Sequence, residues 1–166
     1  MEEKLPYHEI PEHAENYTAG NVAARMVDGL GFRYYWATEG LRLEDLNYKP
    51  SETGRTANET IDHLYGLSSF ILNTISDSVE KMKDIKDMGF DEKRKATLLN
   101  LKTASGILKN TVDLSKYDND RFPFWNIING PISDALWHCG QVVLLRRSSG
   151  NPFNSKVSVF SGKVRE

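Results

Sequence analysis

From Thr56 the chain reads "TANETIDHLYGLSSFILNTISDSV", and this stretch decides the fold class. Its residues Ile61, Leu64, Leu67, Ser68, Ile71, Leu72, Ile75 and Val79 recur at spacings of three and four. That period draws one broad apolar arc around a helix and does not line one face of a strand. The start is written in as well: the Thr56 hydroxyl can accept from the free amides of the first turn, while Glu59 reaches back to the Thr56 amide, a capping box.

Three more segments carry the same period. From about Thr18 to Leu41, one face collects Ala23, Met26, Val27, Leu30, Tyr34, Ala37 and Leu41. Gly29, Gly31 and Gly40 weaken this helix by roughly 1 kcal/mol each against alanine, a cost that a closely packed neighbouring helix would explain. Asp91 is placed to cap a third helix with Leu98, Leu101, Ala104, Leu108 and Val112 on its inner face. A fourth is capped at Asn129 or Gly130, carries Pro131 in its first turn and ends at Gly150 and Pro152. The linker before it, "SKYDNDRFPFWNIING", is rich in aromatics and is expected to pack over one end of the domain. Strand-like alternation occurs only in "KVSVF" near the end.

Four amphipathic helices in 166 residues predict an all-α domain, a four-helix bundle spanning 18–149, with an extended N-terminal arm (1–17) and a C-terminal tail (150–166). The order of neighbours stays open, because the charged connector "EKMKDIKDMGF" suits a tight turn or a crossover equally.

Charge narrows the function. Lys and Arg number 21 against 23 Asp and Glu, and no basic run exceeds Arg146-Arg147 or the mixed "DEKRK". The clustered cations of a nucleic-acid footprint are missing. The N-terminus "MEEKLPYHEIPEHAENY" is acidic and polar where a signal peptide needs a basic start and an apolar run, and no stretch approaches membrane-spanning length. With one cysteine and so no intrachain disulfide, the expectation is a cytoplasmic protein that binds neither nucleic acid nor membrane.

Chemistry concentrates in "SDALWHCGQ", residues 133–141. Asp134 and His138, four apart, are turned by only about 40° on a helix and project from one face. Ile127 and Leu145 share that stripe, which aims it at the interior, where a carboxylate is costly unless paired or bound to metal. His63 lies in line with Leu67 and Phe70 at the edge of the second helix's arc. Two imidazoles and a carboxylate from two helices leave coordination positions open, as in catalytic zinc, nickel or iron sites, and such an ion lowers the pKa of a bound water or thiol.

A plainer arrangement fits the same spacing, with Asp134 and His138 hydrogen-bonded to each other in the core and His63 a satisfied core residue. Cys139, about 100° around the helix from His138, reads as structural. Asp113, the remaining carboxylates and the Arg146-Arg147 pair read as surface charge, with the holding of an anionic substrate near a helix end as the arginines' second reading. His8 and His13 read as solvent-exposed.

Taken together, "GLGFRYYWATEGL", "ETIDHLYGLS" and "DALWHCGQVVLLRRSSGNP" resemble the DinB/YfiT-like superfamily of bacterial helical-bundle metalloenzymes, from the first helix into the tail. The resemblance implies a divalent metal held by a histidine of the second helix and a histidine pair on the last. His63 matches the first, and His138 the last, since Gly140-Gln141 follows it. Asp134 stands where the middle histidine usually stands, and a carboxylate is a harder ligand than imidazole.

The resemblance further implies a variant up-and-down topology and a homodimer. The metal would be zinc or nickel, with iron or manganese as alternatives. It would activate a low-molecular-weight thiol or a water against a small electrophile, in a thiol transferase or hydrolase. Tyr35, Trp36 and Trp125 are candidates to wall the pocket, or are plain core. The rival function is a non-catalytic dimeric bundle that binds a partner.

Overall fold

The capping box forms as the sequence requires. Glu59 accepts from the Thr56 amide at 2.7 Å, and Thr56 Oγ1 accepts from the Glu59 amide at 3.1 Å. In the computed structural model, which describes residues 4–78 and 83–166, the protein is mostly helical. Its long helices are α1 (Ala19–Thr38), α3 (Ala57–Ile75), α4 (Phe90–Lys109) and α6 (Ser133–Ser148). Short α2 (Leu43–Asn47) lies between the first two, and one-turn α5 (Trp125–Ile127) runs through a π turn at Ile128–Ile132 into α6. A two-stranded antiparallel hairpin, β1 (Val157–Ser158) and β2 (Lys163–Val164), closes the tail. Among the described residues no helix is long and apolar enough to cross a membrane.

The expected arcs form the core. Ile61, Leu64, Ser68, Ile71 and Ile75 of α3 are buried, as are Leu98, Leu101, Ala104 and Leu108 of α4. Val79 lies outside the described residues. α1 packs chiefly against α4 and α6, and α3 packs against the same two helices. The connector after α3 therefore joins neighbours.

Several boundaries move. α1 stops at Thr38, and Gly40 takes φ +67°, a left-handed conformation that glycine adopts at little cost. α4 is capped by Gly89, with Asp91 inside its first turn, and ends at Lys109, so Val112 is 92% exposed rather than on an inner face. Neither Asn129 nor Gly130 caps α6. Gly130 leaves helical geometry at φ −87°, ψ −108°, just before Pro131, whose ring cannot join an unbroken helical ladder, and Ser133 Oγ donates back to the Ile128 carbonyl at 2.7 Å.

α1 is buried on nearly every side and not along one face. The N-terminal arm covers its outer surface. Tyr7 is 4% exposed and donates to Asp28 at 3.0 Å, and its ring lies where a Cβ on Gly31 would come within 2.5 Å. A tyrosine, not a neighbouring helix, accounts for that glycine. His8 is half-buried against Tyr35 and Trp36, with ring centroids 5.7 and 5.1 Å away, and so is not free in solvent. His13 is exposed as expected. The arm is tied to the tail by the Ile10 amide, which donates to the Gly162 carbonyl at 2.8 Å.

The aromatic linker packs down in part, with Trp125 left 74% exposed. Tyr117 and Phe124 are buried, and Thr111 Oγ1 and the Tyr117 hydroxyl are 2.8 Å apart.

Candidate metal centre

α3 and α6 pack side by side, and the edge of the α3 arc meets the polar stripe of α6. Among the described residues, one group of His, Cys, Asp and Glu side chains is arranged to share an ion: His63, Asp134 and His138, each offering a donor atom within 4.8 Å of the others. The helical spacing of four places Asp134 under His138, and tertiary packing delivers His63 from 71 residues away.

The carboxylate reaches one nitrogen of each ring. Asp134 Oδ2 is 3.1 Å from His63 Nε2, and Oδ1 is 3.2 Å from His138 Nδ1. The ring centroids of the histidines are 4.5 Å apart, with their planes inclined by 64°. His138 Nδ1 also lies 2.8 Å from the Asp134 backbone carbonyl. A carbonyl oxygen can only accept, so Nδ1 carries a proton, and it is Nε2 that offers a lone pair whenever the ring is neutral. Fixing a tautomer through the far nitrogen is how proteins orient a ligating histidine.

The site lies at the surface more than the interior stripe suggests. Side-chain exposure is 38% for both His63 and Asp134 and 13% for His138. Asp134 is therefore not a buried carboxylate in need of a counter-charge, since water reaches it past the edge of α3. The same exposure leaves room for ligands other than protein. Three donors of this chemistry, one side open, fit a divalent ion with free coordination positions.

No protein-family model, curated protein or solved structure matches the chain.

The remaining candidates fall elsewhere. Tyr35 is buried, with the Arg94 guanidinium 4.7 Å above its ring. Trp36 donates from Nε1 to the His8 carbonyl at 3.1 Å and lines a cavity between α1 and α6. Trp125 is 74% exposed beside Val112 and Leu114. No described contact joins any of the three to the His63–Asp134–His138 group. Tyr35 and Trp36 instead seat the N-terminal arm on α1, which is not a principal neighbour of α3. Cys139 is 2% exposed, and burial pushes its thiol up to about 12, so it is a packed apolar group and not a nucleophile. Asp113 is exposed and caps a turn through the Ser115 amide at 2.9 Å.

Arg146 is not surface charge. It is 2% exposed and donates from Nη1 to the carbonyls of Trp36, Ala37 and Glu39 at 3.0, 3.0 and 2.9 Å. These oxygens belong to the end of α1, where carbonyls lack helical partners, and a cation there satisfies them and opposes the helix dipole. The sequence reading also missed Asp45. Its carboxylate, fully buried, accepts from Arg42, from Ser149 Oγ at 2.6 Å and from Asn151 Nδ2 at 2.6 Å. The Arg42 guanidinium, together with these donors, holds the Asp45 carboxyl well below the usual carboxylate range.

Proposed function

We propose that the chain is a divalent-metal-dependent enzyme of the DinB/YfiT-like kind, with His63, Asp134 and His138 as ligands and a small electrophile as substrate. What carries the reading is the cluster itself: three donor atoms from two helices within 4.8 Å, on a partly exposed edge of the protein. The neighbour order, in which α1 and α3 share neighbours without being principal partners of each other, supports a four-helix bundle of variant up-and-down topology. The proposal extends to a homodimer.

A bound divalent ion supplies Lewis acidity, lowering the pKa of a coordinated water or low-molecular-weight thiol. The chain's own residues set the terms around it. Asp134 reaches both histidines with its two oxygens and so fixes their separation. The His138 Nδ1 proton, held by the Asp134 carbonyl, keeps Nε2 available. Leu67 and Phe70 follow His63 along the same side of α3, and Phe70 meets Phe122 at 6.0 Å between ring centroids. That half-exposed aromatic pair, about two turns along α3 from His63, offers an apolar surface for a substrate body that reaches so far. Transfer of a thiol and hydrolysis by water are both compatible with this arrangement.

The rival, a non-catalytic bundle, draws on the hydrogen bonds already present, His63 Nε2 with the Asp134 carboxylate and His138 Nδ1 with the Asp134 backbone carbonyl. Metal analysis of protein purified without a nickel column separates the readings. After incubation with zinc, nickel, manganese or iron salts, about one equivalent of ion is expected to be retained, whereas less than about a tenth sinks the enzyme reading. A thiol-transfer screen of the metal-loaded protein, with several small thiols and electrophiles, then tests the reaction class.

A further inference from the structure

On the other side of α6 the structure holds a cavity of about 330 Å³ that the metal reading does not use. Leu136, Cys139, Gly140, Val143 and Arg147 bring one face of α6 to it, and Phe32, Arg33, Trp36 and Ala37 bring α1. Phe153 and Val159 of the tail complete the wall. By helical geometry this face is turned roughly 180° from the one that carries Asp134 and His138. The volume lies within the range of small-molecule sites, which run from roughly 300 to 1,000 Å³ and are mostly apolar with a few placed polar groups.

The lining includes no acidic residue. Its charged members are Arg33 and Arg147, both exposed at the rim. Neither has a carboxylate partner among the described residues. Arg33 donates only to the Gly29 carbonyl of its own helix at 3.1 Å, and Arg147 lies 5.6 Å from the Phe153 ring centroid. A second cleft extends from Arg33 and Leu136 to Arg25, again without an acidic residue in its wall. In a chain of net charge −2, this is a local cationic rim around an apolar floor. Gly140, itself exposed, leaves the α6 side of the cavity open, because a Cβ built on it would meet nothing within 4 Å.

We propose that this cavity binds a small anion with an apolar tail, the tail lying over Gly140 between α1 and α6 and the anionic head held by Arg33 and Arg147. Guanidinium groups form paired hydrogen bonds with carboxylate and phosphate alike. The shared chemistry is therefore an amphipathic anion, either a free carboxylate or a phosphate ester. Cys139 contributes only apolar surface.

Calorimetric titration of the full chain with octanoate, octyl phosphate and octanol tests the proposal, with EDTA present so that no metal ion can bind the anion. One anion should bind saturably at one site, and the tighter of the two names the head group. Octanol should bind at least about tenfold more weakly, the loss expected when charge-assisted hydrogen bonds are removed. Gly140→Leu should weaken the anion at least about tenfold by occupying the tail's space, while leaving metal uptake unchanged. Arg33→Gln with Arg147→Gln, which alters no buried side chain, should do the same through the head and carries the test alone if Gly140→Leu does not fold. Absence of saturable anion binding, equal binding of octanol, or indifference to the variants that fold would overturn the proposal, as would a second copy of the chain covering this face in solution. None of these results bears on the His63 cluster.

Discussion

The two faces of α6 are built on opposite principles. Toward α3 the helix presents Asp134 and His138, polar, mutually hydrogen-bonded and partly open to water. Toward α1 it presents Leu136, Cys139, Gly140 and Val143, an apolar surface that leaves a cavity with arginines at its edge. On the first face the groups satisfy one another, and an ion must compete with existing hydrogen bonds. On the second, two cations have no described counter-charge and a glycine leaves space unfilled. Between these two faces Ala135, Cys139 and Val142 are buried in the core, so the helix is anchored along one stripe while its flanks differ in chemistry.

The sharpest way to break that comparison is to remove a candidate ligand. His63→Ala and Asp134→Ala should each weaken metal retention by more than about 100-fold while circular dichroism shows helix content intact. Normal retention in both would show that the α3 face is only a hydrogen-bonded cluster. Asp134→His, which restores two imidazoles on α6, should retain metal and shift preference toward softer ions, read by competition between zinc and manganese.

Arg146→Met is expected to give the largest loss of stability, about 3 kcal/mol in chemical denaturation, because three α1 carbonyls lose their donor in a buried setting. Since that residue fixes α6 against α1, the variant should impair anion binding more than metal binding. The reverse order would mean that the two faces are not independently supported.

Asp45→Asn should lower the thermal midpoint by a few degrees at neutral pH. Asp45 has a depressed folded-state pKa, so its contribution is fully present above the ordinary aspartate value of about 4 and fades as pH falls below it. The gap between wild type and Asp45→Asn should narrow in thermal melts taken below about pH 4, and a gap that widens there would contradict the assigned ion pair.

The smallest effect belongs to Gly140→Ala. With open space around its Cβ, alanine should raise stability by up to about 1 kcal/mol through helix propensity, seen as a rise of a few degrees in Tm. A fall would show that the cavity floor is tighter than described.

Much of the fold was legible in the chain because helices advertise themselves locally. The Thr56–Glu59 box and the spacing of Ile61, Leu64, Ile71 and Ile75 need nothing beyond α3 to be read. The pairing of Asp134 with His138 is equally local. His63 was found only because it sat at the edge of a clear arc. Arg146 read as surface charge because a basic pair near a helix end ordinarily is, and its partners stand 110 residues earlier. For Tyr35 and Trp36 the chain leaves pocket wall and plain core both open, because nothing local says that an N-terminal arm will cover them.

The sequence by itself determined the mostly helical class, the core faces of α3 and α4, and the shared direction of Asp134 and His138. These depend on periodicity and side-chain type, which are properties of short segments. Only the tertiary structure decided which helices are neighbours, that α1 is buried on nearly every side, that Asp134 is reached by water, and that α6 has a cavity on the side away from Asp134 and His138. Periodicity tells which side of a helix is apolar. It carries no information about what comes to cover that side, because the covering groups arrive from distant parts of the chain and their fit is settled by packing.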